Sequence, residues 1–117
     1  MFNTDYDIDV YWKNDLTCHI KVRGSSVSFR NYAIDPVKLP FGVKTIVTQD
    51  DLEEFFKDRC FPQERTNSKQ ILRNLGIDCY EPELICRKTH GMQFDDFMWL
   101  QFNDEPQVYW NDIKLRE

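Results

Sequence analysis

The chain has 117 residues, 41% of them hydrophobic and 15% aromatic, and its 20 acidic against 15 basic side chains leave a net charge of −5. That length fits one domain spanning 1–117 and leaves no room for two ordinary ones, while nine Phe, five Tyr and three Trp can fill a real core and exclude a disordered chain. The longest apolar run is a few residues against the roughly 20 that a membrane helix needs, and the acidic start MFNTDYDIDVYW has no basic region leading into an apolar one. Neither a membrane span nor a signal peptide is therefore expected, and the expected location is the cytoplasm.

Three stretches near the start predict strands. Asp7–Lys13 alternates, with Ile8, Val10 and Trp12 on one face, and Asn14-Asp15 supplies turn chemistry. Leu16–Arg23 alternates strictly, so Leu16, Cys18, Ile20 and Val22 are expected to face the core, and Thr17, His19, Lys21 and Arg23 to face away. Gly24-Ser25-Ser26 turns the chain into Val27–Ile34, with Val27, Phe29 and Ala33 inward, completing an antiparallel meander. From Asp35 to Val47, Pro36, Pro40 and Gly42 keep the chain out of helix, with room for a short strand at Thr45-Ile46-Val47.

Three short helices are expected next. Thr48 is the N-cap of the first, Asp50 and Asp51 suit its dipole, Leu52, Phe55, Phe56 and Cys60 share its apolar face, and Pro62 stops it. The second runs from about Thr66 to Leu75 and ends on Gly76 in a left-handed cap, with Ile77 as the hydrophobic contact. The third starts near Glu81 with Pro82 at its first position, and Gly91 closes it. Phe97–Phe102 then predicts a strand, Asn103-Asp104-Glu105-Pro106 a turn, and Gln107–Trp110 a return strand. The expected class is α+β: an N-terminal antiparallel β-meander, three short helices and a C-terminal β-hairpin.

No constellation for catalysis or metal binding stands out, and no cofactor is expected. Cys18, Cys60, Cys79 and Cys86 lack close pairing and are expected to be reduced and mostly buried. Cys86 and His90 lie four apart on the third helix and admit a nucleophile–base reading, but without an orienting partner. Cys79, Cys86 and His90 match no common zinc spacing, with or without Cys60. Glycine-rich phosphate-binding motifs are absent.

Two charged features remain. Arg65, Lys69 and Arg73 fall at i, i+4 and i+8, a basic stripe on the second helix that is either a solvated face or a contact for an anion, a nucleic acid or an acidic partner. Residues 92–117 hold six acidic and two basic side chains, among them Asp95, Asp96, Asp104 and Glu105, which argues against binding nucleic acid directly and would suit a basic protein partner. Met98, Trp99, Tyr109 and Trp110 read either as core or as interface anchors.

The stretch LEEFFKDRCFPQERTNSKQILRNLGI, within residues 7–85, resembles the small N-terminal subdomain of HipA-type toxin kinases. That subdomain has a β-meander, a Leu-Pro linker, a helix with a Phe-Phe pair, a proline-centred segment, basic residues and a Leu-Gly-Ile close. Leu39-Pro40, Phe55-Phe56, Cys60-Phe61-Pro62, Arg65 and Leu75-Gly76-Ile77 stand here in the same order. Gln63-Glu64 replaces the family's Glu-Gly, the glycine-rich segment after the third helix is missing, and the kinase core is absent. In that family the subdomain packs on the kinase near the antitoxin, and in tripartite systems it is a separate protein that neutralises the kinase. The resemblance thus implies docking and regulation within a bacterial or mobile-element system. The expected function is a non-enzymatic protein-binding module whose partner is a kinase or a nucleoprotein effector. The rival expectation is an acidic, phage-type inhibitor that blocks a basic nucleic-acid channel.

Overall fold

The period-two alternation at the N-terminus becomes a sheet. In the computed structural model, which describes residues 5–93 and 96–113, Tyr6, Ile8 and Val10 are buried along strand β1 (Asp5–Trp12), and Asp5, Asp7 and Asp9 point the other way. Strands β2 (Asp15–Arg23) and β3 (Ser26–Asn31) follow as the expected meander. Strand β4 (Met98–Phe102) joins the free side of β1, giving a four-stranded antiparallel sheet in the order β3-β2-β1-β4. With the helices between β3 and β4, the class is α+β.

The alternation of β2 breaks at one point. Pairing slips between Val10 and Tyr11, so that Cys18 faces Val10 but Leu16 faces Tyr11, leaving Thr17 as the extra residue of a bulge. Thr17 is buried with its hydroxyl donating to the Val10 carbonyl at 3.1 Å, and Leu16, expected inside, is exposed. Beyond β3, Ile34 lies in solvent, and Thr45-Ile46-Val47 forms no strand, although Val47 is buried.

Helix α1 (Gln49–Asp58) starts on a full capping box. Thr48 accepts from the Asp51 backbone N–H, and the Asp51 carboxylate accepts from the Thr48 N–H. It ends before Cys60 and Pro62, both of which fall outside it. Helix α2 (Ser68–Leu75) closes on Gly76 at φ 77°, with the Ile77 N–H donating to Leu72 and its side chain buried, as the Leu-Gly-Ile pattern predicts. Helix α3 (Pro82–Thr89) begins on Pro82 but ends one residue earlier than expected, with His90 already left-handed at φ 57°. Gly91 follows at φ 62°, where an added Cβ would lie 2.9 Å from Leu100 Cδ1, so glycine is needed for packing as well as for the turn.

The core is an aromatic chain laid across the sheet. Ring centroids run from Phe29 to Phe41 (5.3 Å), Phe41 to Phe55 (5.6 Å), Phe55 to Phe56 (6.2 Å), Phe56 to Phe102 (6.0 Å) and Phe102 to Tyr6 (5.9 Å). This chain joins β3, the linker, α1, β4 and β1, and burying one such ring is worth about 1.5–3 kcal/mol.

The C-terminal hairpin does not form. Residues 107–109 are not in a strand, and Trp110 opens a short helix, α4 (Trp110–Ile113). The free edge of β1 offers β4 five paired positions and places Met98, Leu100 and Phe102 in the core. The returning backbone is met by a side chain instead. Gln101 Nε2 donates to the carbonyls of Phe102, Glu105 and Pro106, and its Oε1 accepts from the Val108 N–H.

Candidate docking surface

Three of the four thiols, those of Cys18, Cys60 and Cys86, are buried. Cys60 and Cys86 are buried with sulfurs 4.0 Å apart, and both donate to the Phe56 carbonyl, at 3.0 and 3.4 Å. The contact with Cys60 and burial hold the Cys86 thiol well above the ordinary range. His90 Nδ1 lies 3.1 Å from the Leu100 carbonyl, and Cys79 is exposed in the stretch before α3. The buried, protonated Cys86 therefore lacks the low pKa and accessibility a nucleophile needs. Among the described residues, no group of three His, Cys, Asp or Glu side chains could hold a metal ion.

The basic stripe is shorter than its spacing suggests. Arg65 lies in the turn before α2, where its N–H donates to the Pro62 carbonyl, so only Lys69 and Arg73 share the helix. All three are exposed. Of the four C-terminal acids, Asp95 lies outside the described residues. Asp96 takes a two-pronged contact from Arg59 Nη1 and Nη2, at 2.7 and 2.9 Å. Asp104 and Glu105 both meet Arg87 Nη1, Glu105 at 3.5 Å, while Arg87 Nε holds Glu83 at 3.2 Å. These carboxylates brace the chain's own arginines. Met98, Trp99 and Trp110 are core, and Tyr109 is exposed.

Two features escape local sequence reading. On the outward sheet face, His19 stands opposite Asp9, with Asp7 on the diagonal. Its Nε2 donates to Asp7 Oδ2 at 3.0 Å and its Nδ1 to Asp9, while Arg23 donates to Asp7 at 2.8 Å. The signal was present: Asp5, Asp7 and Asp9 alternate outward on β1, as do His19, Lys21 and Arg23 on β2, and antiparallel pairing sets the two rows against each other.

The second feature is the linker between β3 and α1. Leu39 and Phe41 turn into the core, and around them Ile34, Val37, Val43 and Ile46 are 97%, 70%, 84% and 80% exposed. The backbone there is a run of closed turns. Asp35 caps a 3-10 turn at Pro36–Lys38, Leu39 N–H donates to Pro36, Gly42 N–H to Leu39, and Lys44 N–H to Phe41. Two prolines and two buried anchors stiffen this segment, so it presents its aliphatic side chains at little further entropic cost. Scattered exposed aliphatics are ordinary, and here four of them fall on one short segment.

Scans against protein-family models, curated proteins and solved structures found no match for the chain. Among the described residues, no helix is long and apolar enough to cross a membrane.

Proposed function

We propose that this chain is a non-catalytic, cytoplasmic protein-binding module that docks on its partner through the linker carrying Ile34, Val37, Val43 and Ile46. The exposure of these four side chains on a braced backbone is the observation that carries the reading. Covering each of them would remove apolar surface from water, with a gain of about 25 cal/mol per Å² before the costs of association.

The partner best supported by the sequence is a HipA-type kinase, towards which the chain would act as a regulatory, antitoxin-like subunit. The residues that carry the resemblance lie on a meander, β1–β3, with Leu39-Pro40 in the middle of the linker, Phe55-Phe56 on α1, and Leu75-Gly76-Ile77 at the end of α2. The rival inhibitor reading needs the acids of the last quarter free and convergent. Asp96, Asp104 and Glu105 are ion-paired within the chain, which gives that reading less support than the docking one.

The test uses a HipA-type kinase lacking its own N-terminal subdomain, titrated with this protein in a calorimeter and assayed for phosphoryl transfer. Binding that weakens by about a hundredfold in the Ile34→Ser/Val37→Ser/Val43→Ser/Ile46→Ser variant, with the fold intact by circular dichroism, supports the reading. Equal binding by variant and wild type removes the linker from it, and no binding by either removes the kinase.

A further inference from the structure

Cys60 stands just past the end of α1 and Cys86 within α3, yet their sulfurs are 4.0 Å apart. A disulfide needs them at about 2.05 Å, so each has roughly 1 Å to travel. The Phe56 carbonyl, which accepts from both thiols, also accepts from the Arg59 N–H at 3.1 Å, so it keeps a partner when both S–H groups are gone. The two thiols differ in access. Cys60 is 9% exposed and lines an open hollow of about 740 Å³ beside Ile85, Thr89 and Met92, whereas Cys86 is wholly buried. They differ in acidity too. The Cys86 thiol as hydrogen-bond donor and the charge of Arg59 hold Cys60 below the ordinary thiol range despite burial, which makes Cys60 the more readily ionised of the two.

The segment between them is lightly held. Of the side chains on α2 only Leu72 is buried, and Ile77 follows beyond its end. The neck of the segment is drawn together by Tyr80, whose hydroxyl donates to the Phe61 carbonyl at 2.6 Å and whose ring meets that of Phe61 at 5.5 Å. A bond between Cys60 and Cys86 closes the same neck covalently and removes open states of the segment.

We propose that Cys60 and Cys86 are a peroxide-sensitive pair whose oxidation to a disulfide locks the segment carrying α2. The Cys60 thiolate attacks one oxygen of a hydroperoxide and the O–O bond breaks. The leaving oxygen takes up a proton and departs as water or an alcohol, and Cys60 is then a sulfenic acid. The Cys86 sulfur attacks the Cys60 sulfur, the S–O bond breaks, and the hydroxyl leaves with the Cys86 proton as water. The two thiols lose two electrons and the peroxide gains them. Cys86 needs no path to solvent for this step, because its target stands beside it. A dithiol reverses the bond by exchange. The pair uses none of the linker's exposed side chains, so it does not rest on the docking reading.

The test treats the folded full chain with hydrogen peroxide in the presence of an equal amount of glutathione thiol. Peptide mapping without reductant should link Cys60 to Cys86 before the glutathione is consumed, and dithiothreitol should undo the link. Cys86→Ser should stop at a sulfenic acid on Cys60, trapped by dimedone, and Cys60→Ser should leave Cys86 unmodified. Cys79→Ser should form the link as wild type does. Hydrogen exchange of the amides of residues 66–77 should slow by about tenfold or more in the oxidised protein. If a serine variant fails to fold, the mapping and exchange of wild type decide alone. The proposal is overturned if the link forms only in denaturant or only after the glutathione is consumed, if Cys79 replaces either partner, if dimedone labels Cys86 instead of Cys60, or if the link forms and exchange across 66–77 is unchanged.

Discussion

A carboxylate at each ring nitrogen favours the cationic form of an imidazole. Partial burial works to lower the pKa of His19, but its hydrogen bonds to Asp9 and Asp7 and their charges outweigh it, and the net direction is up. For Asp7, partial burial works upward and the contacts from Arg23 and His19 prevail, so its carboxyl stays below the usual range. The linkage signs are opposite. The His19 contribution is full below about pH 6.5, the unfolded value, and fades as pH rises through the higher folded pKa; that of Asp7 is full above about pH 3.9 and fades in acid. His19→Gln should therefore lower the melting temperature most near pH 5 to 6 and progressively less towards pH 9. The effect should correspond to no more than about 1 kcal/mol, because the cluster is partly solvated. A difference that grows with pH would contradict the cluster. Arg59 is the larger case. Its Nε donates to the Gly91 carbonyl at 2.7 Å and its Nη2 to the Met98 carbonyl at 2.9 Å, beside the paired contact with Asp96, and the side chain is buried. Arg59→Met should cost about 3–5 kcal/mol in a urea titration by stranding these acceptors. Arg59→Lys should recover only part of that, since an ammonium cannot reproduce the fork.

At the scale of elements, α1 organises the packing. Phe56 is buried against Phe102, and Phe55 continues the aromatic chain to Phe41. Phe56→Ala should cost about 3–5 kcal/mol, a large part of a small domain's stability, whereas Thr48→Ala, which removes half of the capping box, should cost about 1 kcal/mol. Chemical denaturation of both variants checks the ranking, and a Phe56→Ala protein as stable as wild type would show the helix to be misplaced. The elements legible in the sequence are those whose determinants are local. Thr48 and Asp51 sit three apart, Gly76 directly follows the last helical Leu, and β1 and β2 alternate across a short turn. The bulge at Thr17 and the partner of β4 were not legible, because each is decided by a neighbour elsewhere in the chain. Tyr11 stacks on Trp99 at 4.5 Å, and an outward Leu16 follows from that choice of face.

For the whole molecule, charge and apolar exposure are distributed differently from the reading along the chain. The acids of the last quarter pair with Arg59 and Arg87, while on α1 Asp51 pairs with Lys44 and Asp50, Glu53, Glu54 and Asp58 make no ion pair with a described residue. Ile34, Val37, Val43 and Ile46 lie among prolines and turns with no periodicity, so their exposure becomes evident only once Leu39 and Phe41 are seen to take the core positions. Arg65, Lys69 and Arg73 are too few cations on a chain of net −5 to neutralise a phosphate backbone. Binding to duplex DNA at physiological salt should accordingly be weaker than roughly 10⁻⁴ M by electrophoretic shift or anisotropy. Lys69→Glu/Arg73→Glu should slow association with an acidic partner without lowering the melting temperature.

The central place of β1 also bears on synthesis. Of the four strands, β1 is made first, and it is paired on one side by its immediate successor and on the other by β4, with Ile8 opposite Phe102. The meander can close early, but one side of β1 stays bare until the chain has been made through Phe102. A nascent chain arrested before Met98 should then remain protease-sensitive and prone to edge-to-edge association, and its protection should arrive in one late step.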